Sequence, residues 1–243
     1  MIRRWGVYFS VRCGLGFAAL VSIGTGYARA QSAPVPVPVV VELFTSQACS
    51  DCPPADRLLR REQASQPGLI ALDLHVTYWN SPAWRDRFSS RAATARQQFY
   101  VDRGLTHELY TPEAVVDGRV GMVGSDKARL NAAIAASRAN PGPRVPITIT
   151  QQASAAMVQV AAGQAPADAH VIAFAIDPIE HTKVGGGEND GADLTEINVV
   201  RRIEMLGVWT GSALSKTVKL APGQHVAVIV QTRDGAIIGA AMR

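Results

Sequence analysis

The chain has 243 residues, with 24 Lys and Arg against 20 Asp and Glu, and 47% of its residues are hydrophobic. This length is enough for one large or two modest domains with a buried core, and a charged fraction of 18% argues against disorder. Three cysteines are too few for a fold that depends on a disulfide scaffold.

Residues 1–30 are typical of a secretory signal peptide. Arg3 and Arg4 precede a mostly apolar stretch, and Ala28-Arg29-Ala30 gives the small-x-small cleavage pattern. The alternative is a membrane anchor, but Arg12 and several glycines interrupt the stretch, which suits a spanning helix of about 20 apolar residues poorly. We therefore expect a secreted or periplasmic protein with no stable membrane span after cleavage.

The excess positive charge lies in this predicted signal peptide. Its four arginines account for the formal net charge of +4, because no acidic residue lies among residues 1–30. Without them the numbers of basic and acidic residues are equal, so the charge no longer indicates nucleic-acid binding. Cleavage would also leave Cys49 and Cys52 as the two remaining cysteines, in a compartment where disulfides persist.

The first half of the remaining chain alternates strand and helix patterns. A proline-rich lead-in covers residues 31–38, and Val39 to Phe44 is a β-rich apolar run that predicts a buried strand. Pro53 and Pro54 suit the first turn of a helix. The elements predicted next are a strand over 69–76, a helix over about 90–104, strands over 113–116 and 119–123, and a helix capped by Ser125.

Beyond Asn140-Pro141-Gly142-Pro143 the hydrophobic period changes to two. Strands are predicted over 145–150, 171–176, 214–220 and 226–230, with a hairpin turn at Asp234-Gly235. We therefore predict a mostly antiparallel, sandwich-like β domain over residues 145–243.

Cys49-Ser50-Asp51-Cys52 follows the first strand directly and opens the first helix. The first sulfur lies where helix N–H groups are unpaired and the dipole is positive, so its thiolate is stabilised. The second sulfur lies one turn further in, where it can resolve a mixed disulfide. This context favours Cys49 as a nucleophile and Cys52 as its resolving thiol.

Two other interpretations of the cysteine pair remain open. A structural disulfide that closes so short a loop would contribute only about 2 kcal/mol. A zinc site needs about four ligands and the chain has no second cysteine pair, but copper could be held by Cys49, Cys52 and either His75 or His107.

Several stretches resemble the secreted, thioredoxin-like family known as domain of unknown function 1223, within the thioredoxin superfamily. The stretches are 42–56, ELFTSQACSDCPPAD; 75–80, HVTYWN; 110–112, YTP; 187–189, GEN; and 198–201, NVVR. The resemblance implies an α/β thioredoxin-like domain over residues 39–140, followed by the β domain. The family name carries no assigned activity.

The resemblance also implies roles for three residues. A cis peptide at Thr111-Pro112 would lie beside the cysteine pair and offer backbone groups to an extended substrate. Glu42 would be a buried acid that relays the proton of the resolving thiol, the alternative being a solvent-facing glutamate at the strand edge.

Two further segments have open interpretations. Tyr78 and Trp79, clustered with His75 and Trp84, either form one wall of a substrate groove or pack over the sheet edge. Residues 185–191 form a glycine-rich loop, predicted to be flexible, which the family motif suggests as a lid.

The sequence thus predicts an exported enzyme of thiol–disulfide exchange, acting on protein or small-molecule thiols and disulfides without an organic cofactor. One alternative is a non-catalytic binding or adaptor protein with an inert disulfide. The other is a copper-binding protein that uses the same two thiols.

Overall fold

The structure, a computed structural model, describes residues 1–10, 37–164 and 168–243. Most of the predicted signal peptide and residues 31–36 of the lead-in lie outside the described residues. In the described part the helices are α1 (Cys52–Ser65), α2 (Arg91–Val101) and α3 (Lys127–Ala139). The strands there are β1 (Val39–Thr45), β2 (Leu69–His75), β3 (Glu113–Val116), β4 (Val120–Val123), β5 (Ile147–Gln151), β6 (Ala155–Val160), β7 (Ala169–Lys183), β8 (Asp193–Trp209), β9 (Leu214–Lys219), β10 (His225–Thr232) and β11 (Ile237–Met242). No helix in these residues is long and apolar enough to cross a membrane.

A large mixed sheet organises the described chain, with the strand order β11-β10-β7-β8-β2-β1-β3-β4. Within it, β1 pairs in parallel with β2 and antiparallel with β3. A smaller antiparallel sheet has the order β5-β6-β9. The fold is therefore mostly β, with few helices.

Alternating side chains of β1 divide the core between the two faces of the large sheet. Val41 and Leu43 pack with residues of α1 and α3, whereas Val40 and Phe44 pack with residues of α2. All of β1 is buried, as expected of a strand covered on both faces. The smaller sheet packs on β7 and β10 through a third apolar cluster that buries Trp209.

The strands of the second half continue the sheet of the first half. They join where β8 runs parallel to β2, with Asp73 opposite Val199. Next to this pair, Asn198 has a φ of 52°, a conformation that asparagine tolerates, and its amide donates to the Ala71 carbonyl oxygen at 3.0 Å. The predicted β domain therefore contributes strands to the same sheet as β1–β4, and the division between residues 140 and 145 stays a prediction.

Two local predictions differ from the structure. The residue that caps α3 is Asp126 rather than Ser125, since its carboxylate accepts from the Arg129 N–H at 3.0 Å. The long strand β8 was not predicted, because its pairing with β7 shifts register twice and the shifts break a clean alternation of apolar and polar residues.

Candidate functional site

The two cysteines lie in the connection between β1 and α1. Cys52 is the first residue of α1 and follows the helix cap Asp51, and prolines occupy the next two positions as predicted. The Cys52 N–H donates to the Cys49 carbonyl oxygen at 3.2 Å, which closes a tight turn. The Cα atoms of Cys49 and Cys52 are 5.4 Å apart and the sulfurs lie at disulfide-bonding distance.

Both cysteines are buried. Cys49 is 1% exposed and Cys52 0%, although Ser50 and Asp51 between them are exposed. A reagent in solution therefore does not reach either sulfur in this conformation. Something must move before Cys49 can meet a partner.

Residues 185–191, here called the cover loop, connect β7 to β8 and contact the cysteine turn. The Asn189 amide donates to the carbonyl oxygens of Gln47, at 3.0 Å, and Cys49, at 2.8 Å. The Ser50 N–H donates to Glu188 Oε2 at 3.0 Å. Hydrogen bonds from Ser50 lower the pKa of Glu188, so this carboxylate stays ionised beside the start of α1.

The backbone conformation of the cover loop favours glycine at position 187. Gly187 has a φ of 76°, which disfavours any residue with a Cβ. A Cβ at that position would stand 3.4 Å from Trp84 Cβ and 3.8 Å from Ala48 Cβ. The loop is therefore seated between Trp84 and the cysteine turn.

The Thr111–Pro112 peptide bond is cis, in agreement with the prediction. The cis-proline segment lies beside α1, with Gly124 between them. A Cβ on Gly124 would stand 3.3 Å from Ala55 Cβ, in α1, and 3.3 Å from Pro112 Cβ. The Trp79 indole N–H donates to Thr111 Oγ1 at 2.6 Å. The structure thus brings Thr111, Pro112 and Trp79 together next to the helix that carries Cys52.

Tyr78 lies at the same end of β2 but is partly exposed. Its hydroxyl donates to Gln97 Oε1 at 3.1 Å, and partial burial raises the pKa of Tyr78 to about 12. Gln97 in turn donates to Glu113 Oε2 at 2.7 Å. Tyr78 is therefore tied to α2 and β3 rather than to the cysteine turn.

Glu42 is buried, so the alternative of a solvent-facing glutamate is wrong. Its carboxylate accepts two hydrogen bonds from Arg96, the one from Nη2 at 2.8 Å, and another from the Tyr100 hydroxyl. Glu42 lies on the α2 face of β1 with Val40 and Phe44, whereas Cys52 belongs to α1 on the opposite face. The structure pairs Glu42 with Arg96, and its relay role stays a prediction.

The structure reveals a group of buried ionisable residues that sequence reasoning missed. This acid cluster comprises Asp56 on α1, Asp73 and His75 on β2, Asp86 in the loop before α2, and Glu196 on β8. Gln47 links it to the cysteine turn: its N–H donates to Asp86 Oδ2 at 3.0 Å and its amide to Glu196 Oε1 at 2.9 Å.

His75 is the cation of the acid cluster. Its Nδ1 lies 2.7 Å from Asp86 Oδ2, and its Nε2 lies 3.5 Å from Asp73 Oδ2 and 3.8 Å from Glu196 Oε1. Burial disfavours the charged ring, but Asp86 and Asp73 outweigh it and raise the pKa of His75 well above its usual value. Burial likewise opposes ionisation of Asp86, yet His75 holds the Asp86 pKa below its usual value.

The other acids of the cluster have raised pKa values. Burial raises the pKa of Asp73, and it raises the pKa of Glu196 to about 7. Burial also raises the pKa of Asp56 well above its usual value, and repulsion from Asp73 adds to it. The cluster therefore places three acids with raised pKa values around one His75–Asp86 ion pair.

The structure places the residues suggested for a copper site as follows, and that site stays a prediction. Both ring nitrogens of His75 face carboxylates. His107 is exposed. Within the described residues, no group of three or more His, Cys, Asp or Glu is arranged to hold a metal ion.

Comparison with known proteins gives a family and two related structures. A family described as proteins of unknown function, DUF1223, has a model that matches residues 40–231. The chain is similar to a protein from Agrobacterium tumefaciens of known crystal structure, with 28% identity, a TM-score of 0.72, and coverage of 86% of this chain and 95% of that one. It is also similar to HBP35 of Porphyromonas gingivalis, with 14% identity, a TM-score of 0.60, and coverage of 87% and 76%, a likeness of fold alone. No curated protein matches the chain.

Proposed function

The chain belongs to the DUF1223 family of proteins of unknown function, and we propose that it catalyses thiol–disulfide exchange through Cys49 and Cys52. The observation that carries this proposal is the position of the sulfur pair at the start of α1. Unpaired N–H groups and the helix dipole at that end stabilise a thiolate. The substrates are disulfides or thiols of proteins or small molecules.

The same proposal assigns residues 39–140 to a thioredoxin-like domain. It is supported by the strand order β2-β1-β3-β4, with α1 and α3 packed on one face and α2 on the other. In such a domain the cis peptide at Thr111–Pro112 aligns the backbone of the partner with the cysteine pair. The hydrogen bond from Trp79 to Thr111 fixes that segment.

The proposed reaction needs no cofactor, because the cysteine pair and the substrate exchange all the electrons between them. In the reducing direction, the Cys49 thiolate attacks one sulfur of a substrate disulfide, forms a mixed disulfide and releases the first substrate thiolate. The Cys52 thiolate then attacks Cys49 Sγ, which releases the second substrate thiolate and closes the Cys49–Cys52 disulfide. The substrate gains the two electrons that the cysteine pair loses, and the oxidising direction is the reverse.

Exchange requires Cys49, which is only 1% exposed, to become accessible, and the cover loop is the segment that we propose moves. Three hydrogen bonds hold Asn189 and Glu188 against the cysteine turn, each worth about 1 kcal/mol or somewhat more where it is charge-assisted. Such a contact opens readily compared with the unfolding of a whole domain. The cover loop therefore acts as a gate in this proposal.

The burial of both sulfurs also favours a second candidate, a binding or adaptor protein with an inert disulfide. In that case the cover loop seals the pair permanently, and the cis-proline segment serves packing alone. The two candidates differ in whether reduced protein transfers electrons to a substrate disulfide.

Reduction of insulin by dithiothreitol, followed as turbidity, separates the two candidates. We expect the wild-type chain to accelerate precipitation and Cys49→Ser to abolish the acceleration. Ser212→Ala, a serine substitution at an exposed position away from the cysteine turn, is the control and should keep the wild-type rate. A wild-type rate equal to that of Cys49→Ser would refute catalysis and support the inert disulfide.

We also propose that the protein is exported, on the basis of the signal pattern over residues 1–30. Exchange chemistry and export support each other, because disulfides persist outside the cytosol. Mass spectrometry of the protein recovered outside the cytosol tests this. A chain that begins at residue 31 is expected, and an intact chain that begins at Met1 would refute cleavage.

A further inference from the structure

Asp56 is a buried acid on the same helix face as Cys52. The two residues are four positions apart in α1, and both are among its buried residues. Side chains at this spacing lie one above the other, with Cβ atoms about 5–6 Å apart. Of the acids in the cluster, Asp56 is therefore the one on the same helix as Cys52, one turn away from the resolving sulfur.

The position of Asp56 is fixed from the neighbouring strand. The Thr45 hydroxyl donates to Asp56 Oδ1 at 2.9 Å, and Thr45 is the last residue of β1 before the cysteine turn. This hydrogen bond leaves the second carboxyl oxygen of Asp56 free to carry or accept a proton. The hydrogen bond to Oδ1 thus orients the carboxyl group, while Oδ2 is the oxygen that exchanges the proton.

Asp56 also has a route to water. It is 8% exposed and borders a small cavity of about 80 Å³, enough for a few water molecules. The rest of the cavity wall consists of Pro53, Arg57, Arg60, Asp193, Leu194 and Thr195. Most of these side chains are polar, so water in the cavity would have hydrogen-bonding partners.

The groups around Asp56 act in both directions on its ionisation. From β2 and β8, Asp73 and Glu196 repel a negative charge on Asp56, while His75 and the Thr45 hydroxyl stabilise it. Burial is the largest influence and, together with the repulsion, raises the pKa of Asp56 well above its usual value. The imidazolium of His75 is paired with Asp86, and Asp56 itself forms no salt bridge among the described residues.

We propose that Asp56, supplied with protons by the acid cluster and the adjoining cavity, donates the proton to Cys52 and takes it back. This inference rests on the proposed function. It assigns the proton transfer to α1, on the face of the sheet opposite the Glu42–Arg96 ion pair.

The proton transfer accompanies the second step of exchange. In the reducing direction, the Cys52 thiol loses its proton to the Asp56 carboxylate as its sulfur attacks Cys49 Sγ, and the Asp56 carboxyl then returns the proton to water through the cavity. When a dithiol reduces the pair, its thiolate attacks Cys49 Sγ, Cys52 leaves as a thiolate, and the Asp56 carboxyl protonates it. The second thiolate of the dithiol then attacks the dithiol sulfur that is bonded to Cys49, closes the disulfide of the dithiol and releases the Cys49 thiolate.

Two-step reaction of the reduced protein with dithiobis(nitrobenzoic acid) tests this inference. Attack by Cys49 releases one nitrothiobenzoate, and attack by Cys52 releases the second. For Asp56→Asn we expect the first release to be unchanged and the second to slow about 100-fold at neutral pH, within the usual range for general acid–base catalysis. The rate of the second release should then rise with pH as the Cys52 thiolate fraction rises. The control is Glu62→Gln, which alters another buried acid of α1 and should change neither release.

The outcomes separate this inference from the proposed function. If the wild-type protein releases no nitrothiobenzoate, the exchange function fails and the inference fails with it. If both releases occur and Asp56→Asn gives the second at the wild-type rate, only the role of Asp56 is overturned.

Thr45→Val provides a second variant in case Asp56→Asn does not fold. It keeps Asp56 and removes the hydrogen bond that favours its ionised form, so the pH midpoint of the second release should move upward. An unchanged midpoint would overturn the inference.

Discussion

The side-chain amide of Asn189 donates to the carbonyl oxygen of Cys49 at 2.8 Å, which joins residues 140 positions apart in the chain. This contact, with its neighbour to Gln47, holds the cover loop against the backbone of the cysteine turn. The proposed gate over Cys49 is thus a strand connection from the second half of the chain.

Asn189→Ala should make the disulfide easier to reach. The variant loses two hydrogen bonds, worth about 1 kcal/mol each, so the open form of the cover loop should become roughly 10-fold or more populated. We expect the second-order rate constant for reduction by dithiothreitol to rise by a similar factor. Asp190→Ala, at an exposed position in the same loop, is the control and should leave the rate unchanged. Equal rates for the wild type and Asn189→Ala would mean that this loop does not gate the pair.

Arg96→Met should destabilise the fold severely. The substitution leaves the Glu42 carboxylate buried without its cation, and removing one partner of a buried ion pair costs about 3–5 kcal/mol. The free energy of unfolding in urea measures the loss. Arg91→Met, at an exposed position on α2, should cost less than about 0.5 kcal/mol. A loss below about 1 kcal/mol for Arg96→Met would show that the ion pair is not a structural anchor.

Glu113→Gln should change how stability depends on pH. Burial raises the pKa of Glu113 to about 7, although Gln97 donates a hydrogen bond to it. Between the unfolded value of 4.5 and about 7 the folded state holds the extra proton, so the free energy of unfolding of the wild type falls as pH rises through this window.

The variant lacks this titration. Relative to its own value at pH 5, the free energy of unfolding of Glu113→Gln at pH 8 should exceed that of the wild type by roughly 3 kcal/mol. The measurement is denaturant unfolding at both pH values. The exposed Glu108→Gln should follow the wild type, and a Glu113→Gln curve that also follows it would contradict the raised pKa.

Local patterns predicted the cysteine turn well. A strand, a Cys-x-x-Cys pair and two prolines are consecutive in sequence, and their geometry follows from helix-start rules that involve neighbouring residues. Hydrophobic periodicity likewise predicted most of the strands and all three helices.

The partners of the site could not be predicted because they are distant in sequence. Gln47 meets Glu196 across 149 positions, and Glu42 meets Arg96 across 54. β8, which carries Glu196, has a bulged pattern that does not alternate. No sequence pattern indicates that Asp56 and Asp73 are neighbours, because only the topology brings them to one face of the large sheet.

The reduction potential of the Cys49–Cys52 pair tests the central claim most directly. Equilibration of the purified protein with glutathione or dithiothreitol buffers, followed by quantification of free thiols, gives this value. A working couple should have a potential between about −120 and −270 mV, the range of known thiol–disulfide oxidoreductases. A potential below about −300 mV would mark an inert structural disulfide and contradict the proposed function.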